Sequence, residues 1–335
     1  MVVASKREAM QAATVTQALA EFVANCSDRT IPPQVLARAK LFALDTLVVA
    51  LAGARAASSK LVVGMVEKLG GNAQASVIGW PTRTSVTQAA LCNGAITHAV
   101  ELDDDHRTSV LHPGTVVLPA ALAMAEYCGA DGKTFLAGLV AGYEVMTRIG
   151  DAFLGQQYYA GFHATGTCGV FGAAAAAGRI FGLGATKLTA ALGIAGTQAA
   201  GLGEWAMDGS WIKRLHPGKS AEAGVIATLL ASTGFTGPNT ILEGAQGFLK
   251  AFSHKDQWDQ GIILDGLGTA YRGYATSFKP YACCRFSHQV VDAALAVIDK
   301  HGIRPQDIAS VATFLASDQA GWLTGQTLIT SGGMQ

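Results

Sequence analysis

Four short stretches gather the side chains that could move protons or hold anions. The densest is HAVELDDDHRTSVLH, residues 98–112, where Glu101, Asp103, Asp104 and Asp105 stand among His98, His106 and His112. Three readings suit that mixture. An acidic loop can cap the helix that follows, carboxylates and imidazoles can ligate a divalent ion, and crowded carboxylates can push one another's pKa values apart for acid/base work. GFHATGTCGVFG (161–172) sets His163 among small residues at the start of a helix, where free N–H groups favour anions. SWIKRLHPGKS (210–220) places Lys213, Arg214, His216 and Lys219 within seven residues, a basic turn that could clamp carboxylates. FKPYACCRFSH (278–288) adds Lys279, Arg285 and His288 around a proline. Each stretch also has a structural reading, as a buried histidine or a solvated turn, and the combination says more than any member.

Helices must position these loops. Apolar residues recur at helical spacing over 34–51, behind the start signal Pro32-Pro33, and again over 85–100, 119–127, 134–153, 167–181, 187–200 and 221–232. Ala and Gly dominate several of them, as in GVFGAAAAAG (169–178), so helix axes there can approach closely. The pattern changes after Trp258. Residues 265–278 read as extended or looped, 288–301 as an amphipathic helix, and 308–316 (IASVATFLA) as a strand. The expected organisation is mainly α: a large all-helical domain over 1–264, then the start of a smaller α+β domain over 265–335. One helix and one strand are too little to close a core, so this second domain reads as truncated.

Composition narrows the function classes. Half of the 335 residues are hydrophobic and 14% are charged, which fits a large core and not disorder. The formal net charge is zero, so no basic surface for nucleic acid is indicated. The six cysteines show no CxxC spacing and read as free, mostly buried thiols of a reducing compartment. No signal-peptide core, membrane span or basic amphipathic helix is visible, and the expected location is cytoplasmic. No GxGxxG beside a strand, GxxxxGKS/T, HExxH or GxSxG is present, which argues against dinucleotide, nucleotide, zinc-peptidase and α/β-hydrolase chemistry.

In order and spacing, HAVELDDDHRTSVLHPGTVVLPAALAMAE, GFHATGTCGVFGAAAAAG, WIKRLHPGKSAEAG and FKPYACCRFSH resemble the MmgE/PrpD family. That family includes 2-methylcitrate dehydratases, cis-aconitate decarboxylases and iminodisuccinate epimerases. The resemblance implies a helical domain, an α+β lid, a homodimer, and an active site without metal or organic cofactor. By motif it implies Glu101, Asp104, His112 and His163 as catalytic candidates. Lys213 and Lys279 are the implied holders of substrate carboxylates, with Asp103, His216 and Arg285 beside them. Two departures stand out. Glu101-Leu102-Asp103-Asp104 occupies the place where many relatives have Asp first, so the first carboxylate is one methylene longer. Relatives also continue well beyond Gln335.

The leading expectation is β-elimination of water from a 2-methylcitrate-like hydroxy acid. His163 or His112 would transfer protons, since an unperturbed histidine titrates near working pH. The lysines would offset charge on the aci-carboxylate. Decarboxylation of a cis-aconitate-type tricarboxylate and epimerisation of an imino-diacid are the alternatives, because all three share a carbanion-like intermediate. A reading of another class is a catalytically inactive binding or assembly protein, which rests on the incomplete lid.

Overall fold

The computed structural model describes residues 13–302 and 304, which are mainly α-helical. In chain order the helices are α1 (Val15–Asn25), α2 (Pro33–Gly53), α3 (Ala57–Leu69), α4 (Val86–Thr97), α5 (Gly114–Cys128), α6 (Gly132–Ala152) and the single turn α7 (Gln156–Tyr159). They continue with α8 (Ala164–Phe181), α9 (Ala185–Gly196), the turn α10 (Trp205–Asp208), α11 (Ile212–Ser232), α12 (Phe248–Phe252), α13 (Gly261–Leu264) and α14 (His288–His301). A short antiparallel hairpin, β1 (Ala75–Ser76) and β2 (Arg83–Thr84), pairs Ala75 with Thr84. Among the described residues no helix is long and apolar enough to cross a membrane.

Side-chain caps set several of these starts. Thr14 and Gln17 exchange hydrogen bonds in a capping box ahead of α1, and Ser85 and Asp131 accept N–H bonds at the heads of α4 and α6. Two helices begin earlier than their prolines suggest. α5 starts at Gly114 and carries Pro119 inside; α11 starts at Ile212 and carries Pro217 inside. The expected basic turn over 210–220 is therefore largely helix. Each proline stands five residues past its helix start, where it takes away the N–H that would reach the carbonyl four residues back, Thr115 in α5 and Lys213 in α11.

The core is built around α8. Its Ala/Gly run, 169–178, is wholly buried, and α5, α6, α9 and α11 pack on it. Small residues set the approach distances. A Cβ on Gly94 of α4 would lie 2.6 Å from the Cα of Gly218 in α11, and one on Gly224 would lie 2.3 Å from the Cβ of Ala173. These contacts clamp α11 between α4 and α8, which brings the end of α4 beside the start of α11.

A buried ion pair ties the later chain to the helices. Arg148 Nε donates to Glu144 Oε1 at 2.6 Å, and the guanidinium also donates to the carbonyls of Ile263, Asp265 and Ala270. Glu144 in turn accepts the backbone N–H groups of Arg272 and Gly273 at 3.0 and 2.9 Å. Arg38 stacks over Phe42 and Phe278 and donates to the Thr276 carbonyl. Sequence character changes near residue 265, whereas by compactness the division into two units falls later, between Ala282 and Cys283. The second unit carries the 3-10 turn Arg285–Ser287 and α14, which covers the helix expected over 288–301. The strand expected over 308–316 lies outside the described residues. Cys26, Cys92 and Cys168 are buried, and burial pushes each thiol up to about 12. Cys128 and Cys284 are exposed.

Candidate active site

The loop 98–113 owes its shape to a reversal and three anchors. Glu101 adopts a left-handed backbone (φ 54°), turning the chain out of the short 3-10 turn His98–Val100. Asp104 folds behind the loop, where its Oδ1 accepts the Gly114 N–H at 2.9 Å and its Oδ2 accepts the Tyr143 hydroxyl at 2.7 Å. Asp105 and Ser277 exchange backbone hydrogen bonds at 2.9 Å, which brings the segment bearing Lys279 against the loop. His106 is buried, donates from Nε2 to the Arg272 carbonyl at 3.1 Å and faces the Ser109 hydroxyl at 2.6 Å. Its partners make it a structural post.

Two lysines then converge on Glu101. Lys213 Nζ donates to both carboxylate oxygens at 2.5 and 2.6 Å, and Lys279 Nζ donates to the Glu101 carbonyl at 3.0 Å. The extra methylene of glutamate is what reaches Lys213 in this two-oxygen pair. Lys213 also sits 5.0 Å from the centre of the Trp205 ring. Burial alone would raise the Glu101 carboxyl, but His98 and Lys213 outweigh it and hold it below its ordinary value.

Beside this pair runs a row of four imidazoles. The ring centres of His112 and His98 are 5.2 Å apart, and those of His98 and His163 are 5.6 Å apart in a stacked pair. His163 Nδ1 lies 3.1 Å from His216 Nδ1, so one of the two donates to the other. Lys213 and His216 share one face of α11 through their i, i+3 spacing. The His112 N–H donates to the Thr165 hydroxyl at 3.1 Å, and the His163 N–H donates to the Gly201 carbonyl at 3.0 Å, fixing both against the start of α8.

Asp103 sets the tautomers of two of these rings. It is 1% exposed, and its Oδ2 lies 3.0 Å from His98 Nδ1 and 3.2 Å from His112 Nδ1. His112 Nδ1 is also 2.7 Å from the Asp104 carbonyl, a group that only accepts. Nδ1 therefore carries a proton in both rings, and in the neutral His112 the lone pair lies on Nε2. Burial would raise the Asp103 carboxyl, but His98, His112 and Lys279 together hold it below the carboxylate range.

The expectation that these histidines titrate near working pH does not hold. Burial pushes His112 down to about 3 against the pull of Asp103, and with His98 it pushes His216 down to about 4. Burial, helped by His98 and Lys213, holds His163 well below its ordinary value. Burial thus favours the neutral imidazole at His112, His163 and His216. Asp104 is displaced the other way: burial lifts it to about 8, against the hydrogen bonds from Tyr143 and Gly114. It braces the loop and the head of α5 from behind, and its backbone carbonyl faces His112 Nδ1.

The structure brings together Glu101, Asp103, His112, His163, Lys213, His216 and Lys279, while Arg285 lies in the second unit on the turn Arg285–Ser287. Two further members complete it: His98, read in the 98–112 cluster without a role of its own, and Trp205, which the sequence reading missed. His98 is fully buried, with Nε2 lacking a hydrogen-bond partner, and its five-residue spacing from Asp103 was the available signal. Trp205 gave no signal, because its place depends on the fold of the 198–204 turn.

The MmgE/PrpD N-terminal domain matches residues 17–261. A cis-aconitate decarboxylase of Aspergillus terreus is 33% identical over 290 residues, covering 83% of this chain and 59% of that protein. The cis-aconitate decarboxylase-like protein oryM of Aspergillus oryzae is 30% identical over 344 residues, covering 96% of this chain and 71% of that protein. The cis-aconitate decarboxylase of Mus musculus is 29% identical over 303 residues, covering 89% of this chain and 61% of that protein. The chain spans 59% of the length of the Aspergillus terreus relative. With the domain match running across α1 to the start of α13 and the motif residues gathered in one cluster, this chain belongs to the MmgE/PrpD family.

Proposed function

We propose that this chain performs cofactor-independent lyase chemistry on a small polycarboxylate, with decarboxylation of a cis-aconitate-type tricarboxylate as the first choice. The observation that carries this reading is the convergence of Lys213 and Lys279 on Glu101 beside the row of histidines 112, 98, 163 and 216. The relatives named as cis-aconitate decarboxylases support putting decarboxylation before dehydration. In the reaction, the C–C bond to one carboxylate breaks and its electron pair forms a new double bond. The former double bond delivers its pair to the carbon beside a retained carboxylate, and that carbon takes up a proton. Carbon dioxide leaves. The lysines would offset charge on the retained carboxylates. A multiply charged anion beside His112 and His163 opposes the effect of burial and favours their protonated forms, so the proton is taken up as the substrate binds.

Dehydration of a 2-methylcitrate-like hydroxy acid is the second reading, favoured by one observation. A neutral His112 with its lone pair on Nε2 suits a base that removes a proton α to a carboxylate. Epimerisation of an imino-diacid would use the same base without a leaving group. A homodimer belongs to the same proposal, and sedimentation at the mass of two chains would support it. The deciding experiment incubates the full chain with cis-aconitate and, separately, with 2-methylcitrate, following carbon dioxide and products by 13C NMR. Carbon dioxide with a methylene-bearing dicarboxylate supports decarboxylation. Water loss from 2-methylcitrate alone moves the assignment to dehydration, and no change in either, from folded protein, assigns a binding or assembly role.

A further inference from the structure

Decarboxylation consumes a proton. One carboxylate departs as carbon dioxide, and the carbon left with the electron pair takes a proton from the medium once per turnover. Dehydration consumes none, because the proton abstracted from carbon balances the one given to the leaving hydroxyl. A buried acid that serves a decarboxylation must therefore be recharged from solvent each time. His163 is 9% exposed, with His98 stacked on its ring at 5.6 Å and Trp205 edge-on at 5.8 Å. Among the described residues its imidazole has a single hydrogen-bond partner, His216, at 3.1 Å from Nδ1 to Nδ1.

His216 is only partly buried and meets water on a surface of its own. It lines a cleft of about 480 Å³ bounded by the 198–204 turn, α10 and α11. That space holds many waters at about 30 Å³ each. Leu202, Ile212 and Lys219 of the same wall are exposed, so the cleft is open to solvent. Gly201 backs the histidine pair: its carbonyl accepts the His163 N–H at 3.0 Å, and a Cβ there would lie 3.4 Å from His216 Nδ1. A bond between two Nδ1 atoms leaves Nε2 of both rings without a protein partner. One proton can therefore enter the pair at one Nε2 and another leave at the other.

We propose that His216 is the proton relay of this site, taking protons from the cleft and recharging His163, an inference that rests on the decarboxylation reading above. A hydronium ion or buffer acid protonates His216 at Nε2, and the Nδ1 proton of His216 crosses to Nδ1 of His163. His163 then gives its Nε2 proton to the carbon holding the electron pair freed by loss of carbon dioxide. One proton enters and one is delivered. The two rings are left in their opposite tautomers, which exchange with water after product release resets. The test measures carbon dioxide release from cis-aconitate by the full chain, by His216→Ala and by His216→Gln, in dilute buffer and with added imidazoles of graded pKa. In dilute buffer both variants should lose about a hundredfold in kcat with KM little changed. Added imidazole should restore kcat in His216→Ala to a degree that follows the pKa of the added acid, and the parent should be indifferent to it. His216→Gln retains a hydrogen bond to His163 and cannot carry a proton, so full activity there overturns the relay, since orienting His163 would suffice. Buffer-independent rates in His216→Ala, or equal rescue by every additive whatever its pKa, also overturn it and leave decarboxylation standing. A parent that releases no carbon dioxide in any buffer sinks the decarboxylation reading and the relay with it.

Discussion

Replacing Asp103 with asparagine keeps the size of the side chain and removes the charge that faces two histidines. Oδ2 of Asp103 stands 3.0 Å from His98 Nδ1 and 3.2 Å from His112 Nδ1, with the residue 1% exposed, so water cannot take its place. The surroundings hold the carboxyl below its ordinary value, which means they prefer the charged form over any neutral isostere. An amide that turns its NH2 toward the rings drives the His98 proton to Nε2 and sets an N–H against the Nδ1 proton that the Asp104 carbonyl still holds on His112. An amide that turns its oxygen keeps the tautomers and still loses the charge that stabilises an imidazolium. In the Ser-His-Asp triad the equivalent exchange costs about 10⁴ in kcat through the wrong tautomer, and a loss of about 10³–10⁴ is expected here. At 1.36 kcal/mol per decade that is about 4–5.5 kcal/mol of the barrier. The assay is kcat on the preferred substrate, paired with 15N spectra of the imidazoles, which report the protonated nitrogen directly. A loss smaller than tenfold, with His98 and His112 unchanged in the 15N spectrum, would refute the role given to Asp103.

Three more outcomes follow from the same geometry. Arg148→Met leaves Glu144 as an unpaired buried carboxylate and frees three carbonyls, so unfolding free energy measured in urea should drop by about 3–5 kcal/mol. Burial pushes His112 down to about 3 from the ordinary 6.5, so its contribution is whole above pH 6.5 and is lost as pH falls toward 3. At pH 5 the unfolded chain holds a proton that the native state lacks, about 2 kcal/mol of stability, and thermal unfolding at pH 7.5 and 5.0 should show a smaller acid loss in His112→Gln than in the parent. Glu101→Gln releases Lys213 from its two-oxygen partner. The Lys213 ammonium then meets substrate carboxylates without competition, so KM should fall severalfold while kcat falls more, because the lysine is no longer held in place; unchanged kinetics would remove Glu101 from the site.

Much of the helical framework was legible because it follows from local chemistry. The apolar spacing behind Pro32-Pro33 marks α2, and the Ala/Gly run marks α8, whose close neighbours require small side chains. Helix starts were less legible where a proline reads as a boundary: Pro119 and Pro217 lie inside α5 and α11, which the packing of neighbouring helices carries past them. The ionic cluster was legible as residue types, since lysines, carboxylates and histidines recur beside Pro and Gly. Its pairings were not. The bond between His98 and Asp103 depends on the left-handed turn at Glu101, and the position of Trp205 depends on how the 198–204 turn packs on His163. Burial, which shifts His112 and Asp104 in opposite directions, is a property of the assembled core and leaves no mark on a loop sequence.

The most direct test of the central claim is a crystal structure of this chain with tricarballylate, a saturated tricarboxylate that cannot undergo the reaction. The account predicts carboxylate oxygens within hydrogen-bonding distance of Lys213 Nζ and Lys279 Nζ, with His112 and His163 facing the central carbons. Tricarballylate bound elsewhere, or an intact Lys213–Glu101 pair untouched by saturating ligand, would contradict it.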